Sequence, residues 1–277
     1  AAALVVEHEL PLPVPQVIVE NTRIAMAEMA AAFYGYPARG MRIVGVTGTN
    51  GKTSTTYMLK AIAEQCGLKV GLIGTIRNLI GERIVDTERT TPESVDLQRI
   101  LREMKDEGVE LVVMEASSHS LDQRRVHGIE FETAVFTNLT QDHLDYHKTF
   151  ENYLAAKMRI FAQARQAVVN RDDPHAQTIL NGLTIPCKTF GIREQADISA
   201  SEIDITTRGV QFDMHCPLGT IRMYVPIPGL FSVFNAMGAA AAAIQLGLPL
   251  SAVKNGIETM GSVSGRLEPL PTGGRNF

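Results

Sequence analysis

The sequence of 277 residues has no tryptophan, only three cysteines and no surplus of basic side chains. Cys66, Cys187 and Cys216 are widely separated, which excludes the usual zinc-binding spacings and fits reduced thiols in a cytoplasmic protein. The formal net charge of −4 gives no electrostatic attraction to nucleic acid or to a membrane surface. No apolar run reaches the length of a membrane span, and the N-terminus lacks the charged and apolar regions of a signal peptide. We therefore expect a cytoplasmic protein that binds neither nucleic acid nor membranes.

The sequence does contain a glycine-rich segment, TGTNGKT, at residues 47–53. The apolar run at residues 41–46 is typical of a buried strand, and residues 53–63 have the apolar spacing of a helix. A strand, a glycine-rich turn, a Lys-Thr pair and a helix are together typical of a nucleotide phosphate-binding loop. In such a loop, backbone N–H groups and the helix N-terminus face the phosphates. Lys52 would contact the terminal phosphates, and the Thr53 hydroxyl would ligate Mg²⁺.

The segment differs from the commonest form of this loop. Val46 occupies the position five residues before Gly51, where that form has a glycine. The alternative interpretation is a glycine-rich turn that only begins a helix. The strand before the segment and the helix after it favour phosphate binding.

Strands and helices alternate from residue 41 onward, which predicts an α/β fold with a doubly wound, mostly parallel sheet. The region 197–225 has the two-residue alternation of a small antiparallel sheet. Residues 1–40 contain two short apolar runs and one helical segment, too little to bury a core alone. The expected strands are 70–73, 111–114, 134–139 and 167–170, and the expected helices are 93–107, 150–164, 231–246 and a shorter one after residue 251.

Glu115 follows one of the predicted buried strands, in the segment MEASSH. A carboxylate at the carboxyl end of a strand, in the sheet that carries a phosphate-binding loop, is well placed for a further contact to Mg²⁺. The alternative is a solvated loop carboxylate without a ligand.

A second polar cluster, with Asp142, His143, Asp145 and His147, follows the strand expected at residues 134–139. Two histidines and two aspartates within six residues suit metal coordination and orientation of a substrate. A plain polar loop with a helix cap at Asp145 is the alternative, but it does not explain this composition.

Four segments together resemble the Mur ligases: TGTNGKT, MEASSHSLDQRRV, NLTQDHLDYH and YLAAKMRIF. The sequence is most similar to the MurE type, and the run Thr90-Thr91-Pro92-Glu93 supports this subtype. The resemblance implies an ATP-dependent ligase of peptidoglycan precursor synthesis. Such an enzyme adds a diamino acid to UDP-N-acetylmuramoyl-L-Ala-D-Glu through an acyl phosphate. The resemblance also implies a cytoplasmic enzyme, which we expect to be a monomer.

The resemblance assigns roles to individual positions. Lys157 corresponds to a carbamylated lysine that, with His143, holds a second Mg²⁺. From the sequence alone, Lys157 is a lysine on an amphipathic helix, and such a lysine is usually solvated. The implied catalytic residues are Lys52, Glu115, His143 and Lys157, and the implied metal ligands are Thr53, Glu115, His143 and the carbamate of Lys157. The implied ATP-binding residues are Gly48, Thr49, Asn50, Gly51, Lys52, Thr53, Ser54, Asn235 near the adenine and Arg266 at an interdomain hinge. The residues implied to bind the muramoyl dipeptide are Thr90, Thr91, Ser117, Gln123 and Arg125.

Family members have three domains, so the resemblance also predicts domain boundaries. Residues 1–40 would be a remnant of the N-terminal domain that binds the nucleotide sugar. Residues 41–266 would be the central ATP-binding domain, and residues 267–277 would begin the linker to an absent C-terminal domain. The chain is therefore expected to be a fragment that supplies the ATP site and part of the dipeptide site.

Three other interpretations remain. Another Mur ligase or a folylpolyglutamate synthase is disfavoured by the Thr90-Thr91-Pro92 run and by Gln123 and Arg125. A nucleotide-binding regulator with a phosphate-binding loop would lack ligase activity, and a fragment that only folds and binds nucleotide would lack catalysis. The sequence does not distinguish meso-diaminopimelate from L-lysine as the added amino acid.

Overall fold

The computed structural model describes residues 2–86, 89–261 and 265. In chain order its strands are β1 Leu4–Val6, β2 Gln16–Ile18, β3 Arg42–Thr47, β4 Val70–Ile73, β5 Asn78–Ile80, β6 Arg83–Val85, β7 Leu111–Glu115, β8 Thr133–Phe136, β9 Ala167–Asn170, β10 Cys187–Gly191, β11 Ile198–Ile205, β12 Val210–Cys216 and β13 Gly219–Val225. Its helices are α1 Thr22–Phe33, α2 Lys52–Glu64, α3 Ser94–Asp106, α4 Ser118–Asp122, α5 Leu144–His147, α6 Phe150–Met158, α7 Ala176–Gly182, α8 Leu230–Gln245 and α9 Leu250–Thr259, with a 3-10 turn at Phe161–Gln163.

Eleven strands form one sheet in the order β13-β12-β11-β10-β9-β8-β3-β7-β4-β5-β6. The strands from β11 to β4 in that order pair in parallel, and β3 lies in the middle between β8 and β7. The prediction of an α/β fold with a mostly parallel sheet is confirmed.

The antiparallel strands expected around residues 197–225 are present as β11, β12 and β13. They continue the main sheet, because β11 pairs in parallel with β10 at Phe190 and Ile198. The separate small sheet of the protein is the parallel pair β1 and β2. Residue alternation predicts a strand and its two faces, but it does not predict which neighbour the strand pairs with.

Helices cover both faces of the main sheet, and successive strand residues point into different cores. Val44 of β3 packs with α2, α8 and α9, whereas its neighbour Ile43 packs with α3 and α6. Gly256 of α9 allows close packing on α2, since a Cβ there would lie 2.5 Å from the Cα of Ile62. The helix that follows the glycine-rich loop is thus fixed by backbone contact on its far side.

In the N-terminal region, helix α1 packs against α3. The helix α1 is capped by Asn21, whose side chain accepts a hydrogen bond from Ile24 N at 3.0 Å. Arg23 of α1 forms an ion pair with Glu93 at 2.9 Å. Phe33 is 83% exposed, and several other apolar side chains of this region are exposed as well. In the part of the chain that the structure describes, no helix has the length and apolar character needed to cross a membrane.

Candidate active site

The glycine-rich loop connects the end of β3 to the start of α2, as the sequence predicts. Gly48 and Gly51 have φ values of 147° and 88°, in the region that favours glycine. Neither position has room for a side chain. A Cβ on Gly48 would lie 1.9 Å from Thr137 Oγ1, and a Cβ on Gly51 would lie 2.3 Å from Asn235 Oδ1.

The segment after β8 holds the loop in this conformation. Asn138 accepts a hydrogen bond from Thr49 N on its carbonyl at 2.8 Å, and from Asn50 N on its side chain at 2.9 Å. Thr137 Oγ1 donates to Asn50 O at 2.6 Å, and Asn138 Nδ2 donates to the same carbonyl at 3.1 Å. Neither Thr137 nor Asn138 was predicted as a site residue, although Asn138 begins the segment NLTQDHLDYH and Thr137 directly precedes it. The loop is therefore pre-organised by a neighbouring strand end.

Two lysines meet at one carbonyl of this loop. Lys52 Nζ donates to Gly48 O at 3.0 Å and to Thr49 O at 2.8 Å. Lys157 Nζ, from α6, also donates to Gly48 O, at 2.8 Å. The structure thus brings together two of the predicted catalytic residues.

Lys157 is not solvated, in contrast to a usual lysine on an amphipathic helix, because it is only 1% exposed. Its ammonium lies 4.4 Å from the centre of the Tyr153 ring. Burial, followed by the positive charge of Lys52, lowers the pKa of Lys157 well below its ordinary value. This lowered pKa increases the fraction of neutral amine, which is the nucleophilic form of a lysine.

Glu115 ends β7 and is 1% exposed, so the interpretation as a solvated loop carboxylate is wrong. Its Oε1 accepts hydrogen bonds from Thr53 Oγ1 at 3.0 Å and from Thr75 N at 2.9 Å. Its Oε2 accepts one from Thr75 Oγ1 at 2.9 Å. A hydroxyl beside a carboxylate at a helix N-terminus is a set of hard oxygen donors, the type that Mg²⁺ prefers. The donor set at Thr53 and Glu115 therefore fits a magnesium ion bound to nucleotide phosphates.

The cluster at residues 142–147 is not a metal site by itself. Among the residues that the structure describes, no three His, Cys, Asp or Glu side chains converge so as to hold a metal ion. His143 occupies the N-cap position of α5 with φ 50° but makes no capping hydrogen bond with its side chain, which is 47% exposed. Its ring packs 4.8 Å from that of His119 and 6.3 Å from that of Tyr153. Metal binding by His143 would therefore need ligands from outside the cluster.

The other members of this cluster have separate roles in the fold. His147 is buried, with Nε2 2.9 Å from Ser118 Oγ, and burial followed by the charge of His119 lowers its pKa. Burial and the neighbouring His143 likewise lower the pKa of His119. Asp145 lies in the first turn of α5, one residue after the helix begins, so it does not cap the helix.

The residues predicted to bind the dipeptide lie together next to Glu115. Thr91 Oγ1 donates to Glu115 O at 2.8 Å and accepts a hydrogen bond from Ser117 N at 3.2 Å. Thr90 Oγ1 lies 3.0 Å from Thr75 Oγ1. Thr91 is therefore fixed to the end of β7, and Thr90 is held beside Thr75, which itself bonds to Glu115.

Arg125 organises this region from within the protein. It is 6% exposed, and burial lowers its pKa. Its guanidinium donates to Thr91 O at 3.0 Å and to Gln123 Oε1 at 2.6 Å, and it pairs with Glu93 at 3.1 Å. These bonds hold Thr91 and Gln123 in place.

A cavity of about 720 Å³ lies over the loop. Ile227, Phe231 and Phe234 supply its apolar part, and Asn235 lies beside Gly51. Arg266 lies outside the described residues. The loop residues and the candidate metal ligands line the rest of the cavity. This part of the lining consists of Thr49, Asn50, Gly51, Lys52, Thr53, Ser54, Thr75, Glu115, Asn138, Thr140 and Asn170.

Comparison with known proteins agrees with this geometry. The family model described as "Mur ligase middle domain" matches residues 46–243. A relative from Geobacillus thermodenitrificans, named UDP-N-acetylmuramoyl-L-alanyl-D-glutamate–2,6-diaminopimelate ligase, is 44% identical over 100% of this chain and 58% of its own length. A solved structure of a protein with that name has 30% identity and a TM-score of 0.83, and covers 95% of this chain and 55% of the other.

A folylpolyglutamate synthase from Mycobacterium tuberculosis, solved with ADP and AMPPCP, has a TM-score of 0.73 at 20% identity and covers 88% of this chain and 64% of the other. At that identity the likeness concerns the fold alone. The chain spans 58% of the length of the Geobacillus relative. From the match over residues 46–243 and the identity across the whole chain, we conclude that this chain belongs to the Mur ligase family.

Proposed function

We propose that the protein is an ATP-dependent ligase that adds a diamino acid to UDP-N-acetylmuramoyl-L-Ala-D-Glu in peptidoglycan precursor synthesis. The observation that carries this proposal is the position of Glu115. Its side chain bonds to Thr53 beside the glycine-rich loop, and its carbonyl bonds to Thr91 on the predicted dipeptide side. One residue thus joins the two sites that such a reaction must bring together. The relatives are named diaminopimelate ligases, which favours diaminopimelate over lysine.

The residues of the chain suit phosphoryl transfer to a carboxylate. The D-glutamate γ-carboxylate would attack the γ-phosphorus of ATP, with ADP leaving and an acyl phosphate forming. The amine of the diamino acid would then attack the acyl carbon and release phosphate. Two anions must meet in the first step, so neutralisation of charge is the main requirement. Lys52 and the loop N–H groups would hold the phosphates, while Thr53 and Glu115 would hold Mg²⁺, which neutralises phosphate charge.

We also propose that Lys157 is carbamylated and helps His143 to hold a second Mg²⁺. Burial and a lowered pKa support this, because the neutral amine is the form that attacks CO₂. The new N–C bond forms as the nitrogen loses a proton, and the product is an anionic carbamate. The carbamate nitrogen keeps one N–H, which suffices to retain the bond to Gly48 O. Both residues lie near the ring of Tyr153: Lys157 Nζ is 4.4 Å from its centre, and the His143 ring centre is 6.3 Å from it.

The proposed domain division follows the same family. Residues 1–40 would belong to the domain that binds the nucleotide sugar, residues 41–266 would form the central ATP-binding domain, and residues 267–277 would begin the linker to the next domain. The separate sheet of β1 and β2 supports the first boundary. We further propose a cytoplasmic monomer that binds neither nucleic acid nor membranes.

The test uses the full-length protein with ATP, Mg²⁺, the muramoyl dipeptide and either diaminopimelate or lysine. We expect phosphate release to depend on the dipeptide, and mass spectrometry to detect the tripeptide product with diaminopimelate. Phosphate release of the same rate without any acceptor would instead indicate a nucleotide-dependent regulator. Product with glutamate and a folate in place of these substrates would indicate a folylpolyglutamate synthase.

A further inference from the structure

Thr75 follows β4 and takes no part in the proposed chemical steps. It is exposed toward the cavity over the loop. Its main-chain N and its Oγ1 donate to the two oxygens of Glu115, both at 2.9 Å. Its Oγ1 also lies 3.0 Å from Thr90 Oγ1. One side chain therefore contacts both the metal-binding candidate and the predicted dipeptide site.

The direction of these hydrogen bonds follows from their chemistry. A carboxylate only accepts hydrogen bonds, and a threonine hydroxyl has one proton to donate. Because Thr75 donates that proton to Glu115, the bond between the two threonine hydroxyls must use the proton of Thr90. Thr53 also donates to Glu115, from the nucleotide side. The result is an ordered relay from Thr90 through Thr75 to Glu115, with Thr53 attached at the other end.

We propose that Thr75 is a positioning residue that couples the two sites, so that the magnesium nucleotide strengthens binding of the muramoyl dipeptide. The inference rests on the proposed function. A ligand held at Thr53 and Glu115 restricts the carboxylate, and the relay passes this restriction to the hydroxyls of Thr75 and Thr90. The second ligand then meets groups that are already ordered and loses less conformational entropy on binding. The coupling is reciprocal, because the dipeptide must strengthen nucleotide binding by the same factor.

The relay can be cut without removing the supports of the site. In Thr75→Val the shape of the side chain and the bond from the main-chain N to Glu115 are retained, and only the hydroxyl is lost. The bond from Thr91 Oγ1 to Glu115 O does not involve Thr75 and continues to fix the neighbouring threonine. Thr75→Ser retains the hydroxyl. Thr178→Val, at an exposed threonine on α7, is a matched control for the exchange itself.

The test is isothermal titration calorimetry on the full-length protein. Affinity for UDP-N-acetylmuramoyl-L-Ala-D-Glu is measured with Mg²⁺ alone and with saturating ADP and Mg²⁺, and the affinity for ADP is measured with and without the dipeptide. For the wild type we expect the second ligand to bind about 2- to 10-fold more tightly, the effect of one net hydrogen bond. The ratio of the affinity measured with the other ligand to the affinity measured without it should fall to one in Thr75→Val. In Thr75→Ser and Thr178→Val this ratio should keep its wild-type value.

Other results would overturn the inference in distinguishable ways. A wild-type ratio of one, or an unchanged ratio in Thr75→Val, would refute the coupling and leave the proposed function intact. Failure of the wild type to bind the dipeptide at all would refute the proposed function, and the coupling with it. If Thr75→Val does not fold, Thr75→Ala removes the same hydroxyl and keeps the main-chain bond to Glu115, and the same loss of coupling between the two ligands is required.

Discussion

Replacement of Lys157 by methionine should change the pH dependence of stability in a defined direction. The folded protein lowers the pKa of this buried amine below its ordinary value of 10.5. Between the two values the unfolded chain binds more protons than the folded protein does. The free energy of unfolding of the wild type therefore rises with pH across this interval, and the full cost of burying the ammonium is present below the lowered pKa.

The change in the free energy of unfolding caused by Lys157→Met has two contributions, the titration of one amine and the loss of one hydrogen bond. A single titrating group changes the free energy of unfolding by at most about 1.4 kcal/mol per pH unit. Methionine has a similar length but no charge, so Lys157→Met removes this slope. It also removes the bond to Gly48 O, worth about 0.5–1.5 kcal/mol. Because Lys52 donates to the same carbonyl at 3.0 Å, that oxygen keeps a partner. The variant should be the more stable protein at low pH, and its advantage should shrink as the pH rises toward 10.5.

The assay is urea unfolding followed by circular dichroism at several pH values, in buffer free of bicarbonate. Lys105→Met serves as the control, since Lys105 is exposed on α3. Its free energy of unfolding, plotted against pH, should run parallel to that of the wild type. If the pH dependence for Lys157→Met also runs parallel to that of the wild type, the argument from the buried amine is refuted. With Mg²⁺ and ¹³C-labelled bicarbonate, the wild type should show a carbamate signal that Lys157→Met lacks.

Four further predictions concern the same cleft. Lys52→Ala should retain the fold but lose phosphoryl transfer in single-turnover assays of the full-length protein, because a charge that stabilises the transition state is removed. Glu115→Gln should lower the free energy of unfolding by about 1.5–3 kcal/mol in urea titrations, since the amide nitrogen cannot accept a hydrogen bond from a neighbouring hydroxyl or N–H group. Gly48→Ala should cost about 1–3 kcal/mol in the same titration, because its Cβ would lie 1.9 Å from Thr137 Oγ1. The chain described here should bind ATP and Mg²⁺ weakly and form no tripeptide, and product at about one turnover per second would contradict this.

The sequence predicted most of the main sheet because its strands are short apolar runs bounded by turn residues. The strands expected at residues 70–73 and 167–170 coincide with β4 and β9. The helix expected at residues 150–164 ends earlier, at Met158, and continues as a 3-10 turn that buries Phe161. Three residues are too few for a periodic pattern to distinguish a 3-10 turn from an α-helix.

The candidate site was predicted less completely, because strand order decides which segments meet. Glu115 was predicted because it follows an apolar strand expected in the same sheet as the glycine-rich loop. Thr75 was missed, since its role depends on β4 lying beside β7, which no local pattern shows. The burial of Lys157 could not be predicted from the local sequence pattern either, because it results from the packing of α6 over the loop. Only the resemblance to a family singled out that lysine.

The central claim is that one cleft brings the magnesium nucleotide and the muramoyl dipeptide together at Glu115. A crystal structure of the full-length protein with a non-hydrolysable ATP analogue, Mg²⁺ and UDP-N-acetylmuramoyl-L-Ala-D-Glu tests it most directly. The account predicts phosphates at the N-terminus of α2, Mg²⁺ at about 2.1 Å from Thr53 Oγ1, and the D-glutamate carboxylate on the same side of the sheet, facing the γ-phosphate. A nucleotide bound away from the glycine-rich loop, or a dipeptide whose carboxylate lies far from the γ-phosphate, would contradict it.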